Sequence, residues 1–268
     1  MSGENGNSVM IKIEGVKFSY GSVEALKGLT IEGKRGQFIG LIGPNGSGKS
    51  TLLRCINGIL KPKAGCIMVN GHEVSKMKLS EMAQICANVP TEFPDDFNMT
   101  VQDLVFMGRY PYVQGLWWEK EEDEEMVMKA LSDFQVQHLK DRKMNEISSG
   151  ERQRALLAKA VVQTPKVMLV DEPSAHLDLK YKLESMEHLR SLLANGISII
   201  VASHDINLLA KYCDKVIILS KGEIVAFGDP KEVITEDLIR DVYGVEADVI
   251  RNNGSIFVVP NNTVKSLN

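Results

Sequence analysis

The eight residues GPNGSGKS, Gly43 to Ser50, constrain this chain more than any other stretch. They follow Gln37 to Ile42, an almost wholly apolar run ending at a glycine, which is how a buried parallel strand enters a loop. They lead into Thr51 and an apolar helix that opens with Leu52 and Leu53. Gly43, Gly46 and Gly48 permit a tight turn, with Pro44, Asn45 and Ser47 between them, so that backbone N–H groups converge on a concavity fitted to phosphate oxygens. Lys49 adds a point charge for the outer phosphates, Ser50 a hydroxyl for Mg2+, and Thr51 a hydroxyl for the inner phosphate. Strand, loop and helix in this order make a complete phosphate loop, and the reading is a nucleotide site.

The rest of the chain supplies a sheet for that loop. Val9, Ile11 and Ile13 alternate with polar residues, and Val16, Phe18 and Tyr20 repeat the pattern of a half-exposed antiparallel sheet. Lys166 to Asp171, Ile197 to Val201 and Lys215 to Leu219 read as further buried parallel strands, and Leu183 to Leu193 has helical spacing. Strand and helix in alternation imply an α/β fold, a mainly parallel sheet covered on both faces. After Gly222 short strands return, with one small helix near Glu236 to Tyr243.

A length of 268 residues suits one large α/β domain with a modest insertion, and 44% hydrophobic with 25% charged residues is ordinary for a globular chain. The net charge of −4 does not indicate a general nucleic-acid binder. Cys55, Cys66, Cys86 and Cys213 form no C-x-x-C pair and fit reduced thiols. No apolar run approaches the ~20 residues that cross a bilayer. Met1 to Ser8 is polar and unlike a secretory signal. The chain is therefore expected to stay in the cytoplasm and to meet a membrane only through a partner.

From Thr91 to Met144 the character changes. This stretch holds Pro94, Pro111, Trp117 and Trp118, then an acidic run from Glu119 to Glu125, and reads as a mainly helical insertion with a long exposed loop. The acidic run suits a solvated helix N-terminus, where the helix dipole favours negative charge. Beyond it, four apolar residues end in Asp171-Glu172-Pro173. Asp171, at the end of a buried strand beside the phosphate loop, is placed to hold Mg2+, and Glu172 to orient and polarise an attacking water.

Ile147-Ser148-Ser149-Gly150-Glu151-Arg152-Gln153-Arg154 resembles the LSGGQ signature of ATP-binding cassette (ABC) ATPases. Ile147 replaces leucine, Ser149 the first glycine and Glu151 the glutamine, while Ser148 and Gly150 are retained. The residues alone describe a Ser/Gly turn at a helix N-terminus, which suits a γ-phosphate or simply an N-cap at Ser148 or Ser149. The resemblance extends from Val9 to Pro260. It implies one ABC ATPase domain at 9–260, with a core at 9–90 and 160–260, a helical and signature insertion at 91–159, and flexible tails at 1–8 and 261–268. By the same resemblance Tyr20 stacks on adenine, Asp178 belongs to an inter-subunit loop that carries His176 where alanine is usual, and His204 contacts the γ-phosphate. Thr91 stands where the family has a glutamine that touches Mg2+ or the attacking water; it is shorter by two heavy atoms, so rate or coupling is expected to differ. ATP, Mg2+ and a head-to-tail homodimer are implied, each ATP held between one phosphate loop and the other subunit's signature helix.

Within that family, Thr100 to Tyr112 and Leu238 to Val249 resemble importers of ferric siderophores, haem and cobalamin. The resemblance implies an ATPase on the cytoplasmic membrane face that energises permease subunits, fed by an extracytoplasmic binding protein, without nucleic acid. Tyr110, Tyr112, Trp117 and Trp118 would suit a groove for the permease's coupling helix or a patch within the insertion. A soluble ABC ATPase of cofactor assembly, an exporter ATPase, or a binding module without turnover are the alternatives.

Overall fold

A computed structural model describes residues 8–91, 98–113, 121–173, 177–252 and 254–264. The chain opens with strands β1 (Val9–Tyr20), β2 (Val23–Lys34) and β3 (Phe38–Ile42), then helix α1 (Lys49–Ile56), β4 (Ala64–Val69), β5 (His72–Glu73), α2 (Leu79–Ile85) and β6 (Cys86–Val89). Helices α3 (Val101–Phe106), α4 (Glu121–Asp133) and α5 (Ser149–Val162) follow. Then come β7 (Val167–Asp171), α6 (Leu179–Leu192), β8 (Ser198–Ala202), α7 (Ile206–Tyr212), β9 (Lys215–Ser220) and β10 (Glu223–Gly228). Helices α8 (Pro230–Val233) and α9 (Glu236–Tyr243) and the hairpin β11 (Val245–Asn252) and β12 (Ser255–Thr263) complete the order.

Six strands form one sheet in the order β10-β9-β3-β8-β7-β6, parallel except for the β9–β10 pair. A separate antiparallel sheet runs β2-β1-β4-β5. All five residues of β3 are buried because both faces are covered. Phe38 and Ile42 enter the core shared with the helices, whereas Ile39 and Leu41 enter the core shared with the antiparallel sheet. Strands β7 and β8 divide the same way, with Met168, Val170, Ile199 and Val201 on the helical side and Val167, Leu169, Ile200 and Ala202 on the other. Burying a Leu, Ile or Phe side chain contributes about 1.5–3 kcal/mol, so these short runs anchor the domain.

The expected α/β architecture is present, with shifts of detail. Strand β8 starts at Ser198 rather than Ile197, and α6 starts at Leu179, ahead of Leu183, because Asp178 caps it by accepting from Tyr181 N at 3.2 Å. The alternation in β1 breaks: Val9 is exposed, Met10 is buried, and register shifts around Gly15 leave both Ile13 and Val16 inside. Strand β12 continues to Thr263, past the start expected for a C-terminal tail, and α5 runs on to Val162, three residues beyond the expected end of the insertion.

Within the insertion two distant stretches are pinned together. Val101 N donates to Arg142 O at 2.9 Å, Gln102 N to Lys140 O at 3.0 Å and Met144 N to Met99 O at 3.1 Å. The acidic run is not wholly solvated as expected. Its helical part opens α4, but Asp123 turns inward and accepts from Arg109 Nε at 2.7 Å, each side chain only 11% exposed. Arg109 also donates to Val162 O at 2.7 Å and lies over the Tyr112 ring. Gly108 beside it touches α5 so closely that a Cβ would stand 2.3 Å from Lys159 O. One guanidinium thus ties α4, the turn after α3 and the end of α5 together. Arg109→Ala would leave a buried carboxylate uncompensated and is expected to cost about 3 kcal/mol of unfolding free energy, read from denaturant titration, with Arg109→Lys recovering only part.

Candidate functional site

Strands β3, β7 and β8 end together, so the segments after them share one edge, where ligands settle in open parallel sheets. After β3 the backbone passes so close to β9 that a Cβ on Gly43 would lie 2.1 Å from Leu219 O, and one on Gly48, at φ +108°, would lie 2.7 Å from Ala25 O. Only glycine fits either place. Gly46 takes φ +77° in open space. Lys49, at the head of α1, is 7% exposed, and its Nζ donates to Gly43 O at 2.7 Å and Pro44 O at 3.2 Å. Burial lowers its pKa, while the nearby carboxylates of Glu172 and Asp171 pull the other way. Ser47 is buried and its Oγ has no partner among the described residues, and Asn45 lies exposed at the loop tip.

Asp171 ends β7 opposite that loop. Burial raises its pKa above the ordinary carboxylate range, and a hydrogen bond with Ser50 opposes this. Its Oδ1 is buried without a partner among the described residues. A hydroxyl beside an uncompensated carboxylate oxygen is the hard-oxygen set that Mg2+ takes together with waters and phosphate oxygens. No group of three or more His, Cys, Asp or Glu among the described residues could hold a metal by itself, so such an ion would depend on phosphate. Thr91, just beyond β6, donates from Oγ1 to Asp171 O at 3.0 Å. That hydroxyl hydrogen is spent on the backbone at the strand end.

Glu172 adopts φ +46°, a left-handed conformation that costs a non-glycine residue about 1–2 kcal/mol. Three bonds hold it: its N–H donates to Ala202 O at 2.8 Å, and its Oε2 accepts from Ser203 Oγ at 3.1 Å and contacts His204 Nδ1 at 2.9 Å. The His204 side chain is 63% exposed, whereas that of Glu172 is 16% exposed. Ser203 was invisible to motif reading; its signal is its place in Val201-Ala202-Ser203-His204, between a buried strand and the next helix.

The remaining groups stand outside this cluster. Tyr20 is 47% exposed, its edge packed on Phe18 and its hydroxyl 3.5 Å from Thr51 Oγ1. Ser148 caps α5: Glu151 N donates to its Oγ at 3.3 Å, and Glu151 Oε2 accepts from Ser148 N at 2.8 Å and Ser148 Oγ at 2.7 Å. The same two Ser148 bonds hold the Glu151 carboxyl below its usual pKa. Ser149 begins α5, and Gly150 lets Tyr181 of α6 approach, its ring 3.3 Å from where a Cβ would be. Asp178 caps α6, and His176 lies outside the described residues. The aromatic cluster is only partly a surface. Tyr110 is 53% exposed, but Tyr112 donates to Gln163 O at 3.0 Å, and Trp117 and Trp118 lie outside the described residues. An apolar opening of about 540 Å3 lies elsewhere, lined by Ile59, Leu60, Pro62, Ile67, Met77 and Leu79.

No helix of the described residues is long and apolar enough to cross a membrane. Asp171→Asn would remove a buried charge whose folded pKa is raised. Ionisation of Asp171 therefore weakens the unliganded fold above that pKa, and the variant should melt a few degrees higher near neutral pH, by calorimetry.

Comparison with known proteins agrees with this geometry. The family model described as ABC transporter matches residues 26–175. The ferric enterobactin transport ATP-binding protein FepC of Escherichia coli K12 is 36% identical over 252 residues, 92% of each chain. In a solved metal-chelate type ABC transporter, facing inward, one chain superposes with a TM-score of 0.82 at 26% identity, over 97% of this chain and 99% of its own. The cassette MJ0796, solved as a dimer bound to ADP and Pi after hydrolysis, gives 0.71 at 26% identity over 82% and 99%.

Proposed function

Because the chain belongs to the ABC transporter family and is one of its ATP-hydrolysing cassettes, we propose that it drives an importer of metal chelates of the ferric siderophore, haem or cobalamin kind. The observation that carries the catalytic part is Glu172, pinned in a strained backbone conformation one residue beyond the open Asp171 oxygen, with Lys49 beside both. The importer reading is supported by the likeness to a ferric enterobactin transport ATPase and to a metal-chelate type transporter.

In this reading the phosphate-loop N–H groups and Lys49 bind the phosphates, Thr51 supports the inner one, and Tyr20 stacks on adenine. Ser50 and Asp171 would hold Mg2+, which would supply positive charge against the phosphates. Glu172 accepts a hydrogen bond from the attacking water and fixes its line of approach. The water oxygen bonds to the γ-phosphorus as the bond from that phosphorus to the β–γ bridging oxygen breaks, and the water's proton passes by way of Glu172 to the phosphate product. His204 leaves Glu172 to contact the γ-phosphate, while Thr91 acts only through Asp171. Ser148, Ser149, Gly150 and Glu151 at the α5 N-terminus, with Asp178, close over the partner's nucleotide in a head-to-tail dimer, on a core of 9–90 and 160–260 with 91–159 as the helical part.

The permease docks in the apolar opening beside α2, at the cytoplasmic membrane face, and an extracytoplasmic protein delivers the cargo. Ile59 and Leu79, 60% and 69% exposed, stand together at this opening, and that apolar rim supports its use as a docking surface. Two measurements test the whole. Glu172→Gln should retain ATP but lose turnover by at least about a hundredfold. Capture of the tagged chain from solubilised membranes should recover a polytopic partner at equal stoichiometry, and Leu79→Glu should lose that partner with basal ATPase unchanged. Recovery of soluble assembly proteins alone would sink the importer reading.

A further inference from the structure

Where α5 meets α6, each helix presents one stripe of residues to a shared space. Gly150, Gln153 and Arg154 stand at three- and four-residue spacing on α5, and Tyr181, Ser185 and His188 do the same on α6. All six line one small cavity of about 10 Å3, the room that a single water needs. At their starts the two helices touch directly. The Tyr181 ring lies 3.3 Å from where a Cβ on Gly150 would be, and the Arg154 guanidinium carbon stands 5.6 Å from its centroid. His188, the last of its stripe, has its ring centroid 5.5 Å from that of Phe134, just beyond α4.

Four polar atoms on these stripes are buried and have no partner among the described residues: Gln153 Nε2, Arg154 Nε, Ser185 Oγ and His188 Nδ1. Gln153 and Ser185 as whole residues are only 7% and 5% exposed. A helical serine commonly donates to the carbonyl one turn back, and Ser185 does not. Each such group left unpaired destabilises a fold, so four around one cavity point to a shared ligand. Their chemistry says which. Gln153 Nε2 and Arg154 Nε can only donate, whereas Ser185 Oγ can accept, and so can His188 Nδ1 when the ring hydrogen is on Nε2. The two N–H donors refuse a metal cation. A chloride ion has no hydrogen to give, and the carboxylate of Glu184, which lines the same cavity, repels it. Water has two lone pairs and two hydrogens, and satisfies all four atoms at once.

We propose that this cavity is a site for one ordered water, which accepts from Gln153 Nε2 and Arg154 Nε, donates to Ser185 Oγ and His188 Nδ1, and so joins α5 to α6. The helices are then tied at two levels, by Gly150 against Tyr181 at their starts and by the water beyond. Their capped N-termini, at Ser148 and Asp178, keep a fixed spacing as a result. In the function proposed above these two N-termini reach the partner's nucleotide, and the water sets their relative position; the site itself does not depend on that reading.

The first test is a high-resolution crystal structure of the full-length chain, grown with bromide in place of chloride. A single water within hydrogen-bond distance of both helices is expected at the cavity. An empty cavity, a water that misses either helix, or an anomalous bromide peak there overturns the proposal. The second test is a double-mutant cycle on the full-length chain, read by denaturant titration. Gln153→Met and His188→Leu should each raise the unfolded-to-folded ratio about tenfold, the scale of one hydrogen bond. Either change releases the same water, so the double variant should reach only about tenfold to thirtyfold, short of the product of about a hundredfold. His188→Asn, close to leucine in shape but with an amide near the place of Nδ1, should recover most of the His188→Leu loss. The full product in the double variant, or equal losses in His188→Asn and His188→Leu, overturns it.

Discussion

Strand β3 is buried on both faces, and every group around the phosphate loop takes its position from that. A five-residue strand between two cores cannot slide or tilt without exposing apolar surface on one side or the other. Its parallel neighbours β8 and β9 are fixed in register beside it, and β7 beyond β8. Asp171, Ser203 and the glycine loop therefore emerge at one edge with little freedom in their mutual distances. The close pass of Gly43 under Leu219 O is the same constraint seen at atomic scale.

At that edge the fold withholds stability. Lys49 is buried with a lowered pKa, Asp171 with a raised one and an unpaired oxygen, and Glu172 sits in a left-handed conformation. Each departs from what folding alone would select, and all three face one place. Local rules broken together at one edge are the mark of a site shaped for a charged ligand, because phosphate and a cation would satisfy what the protein leaves unsatisfied. The neighbouring cores, saturated with Ile, Leu and Val, carry the stability that this region lacks.

Much of this was legible in the sequence where one residue type alone fits a position. The loop glycines are required by backbone approach, and Asp171 is announced by four buried residues before it. The β1 alternation misled because a bulge around Gly15 changes the period without changing composition. Asp123 was hidden in a run of five acids, since nothing in sequence says which one turns toward Arg109, fourteen residues away. Ser148 fits the N-cap and the signature alike, and the structure displays its cap. Ser203 left only its place between a buried strand and the next helix, because its meaning comes from its hydrogen bond to Glu172, beyond the reach of any local pattern.

The backbone bonds of 99–102 with 140–144 pin two distant stretches of the insertion side by side. A recombination event cutting at both would replace the helical part between them without disturbing the strand register beneath it. Lineages could then trade this piece while the hydrolytic edge descends unchanged. The Arg109–Asp123 pair, with Gly108 against Lys159 O, sets the limit on such trade: a transplanted piece must bring its own clasp for the end of α5.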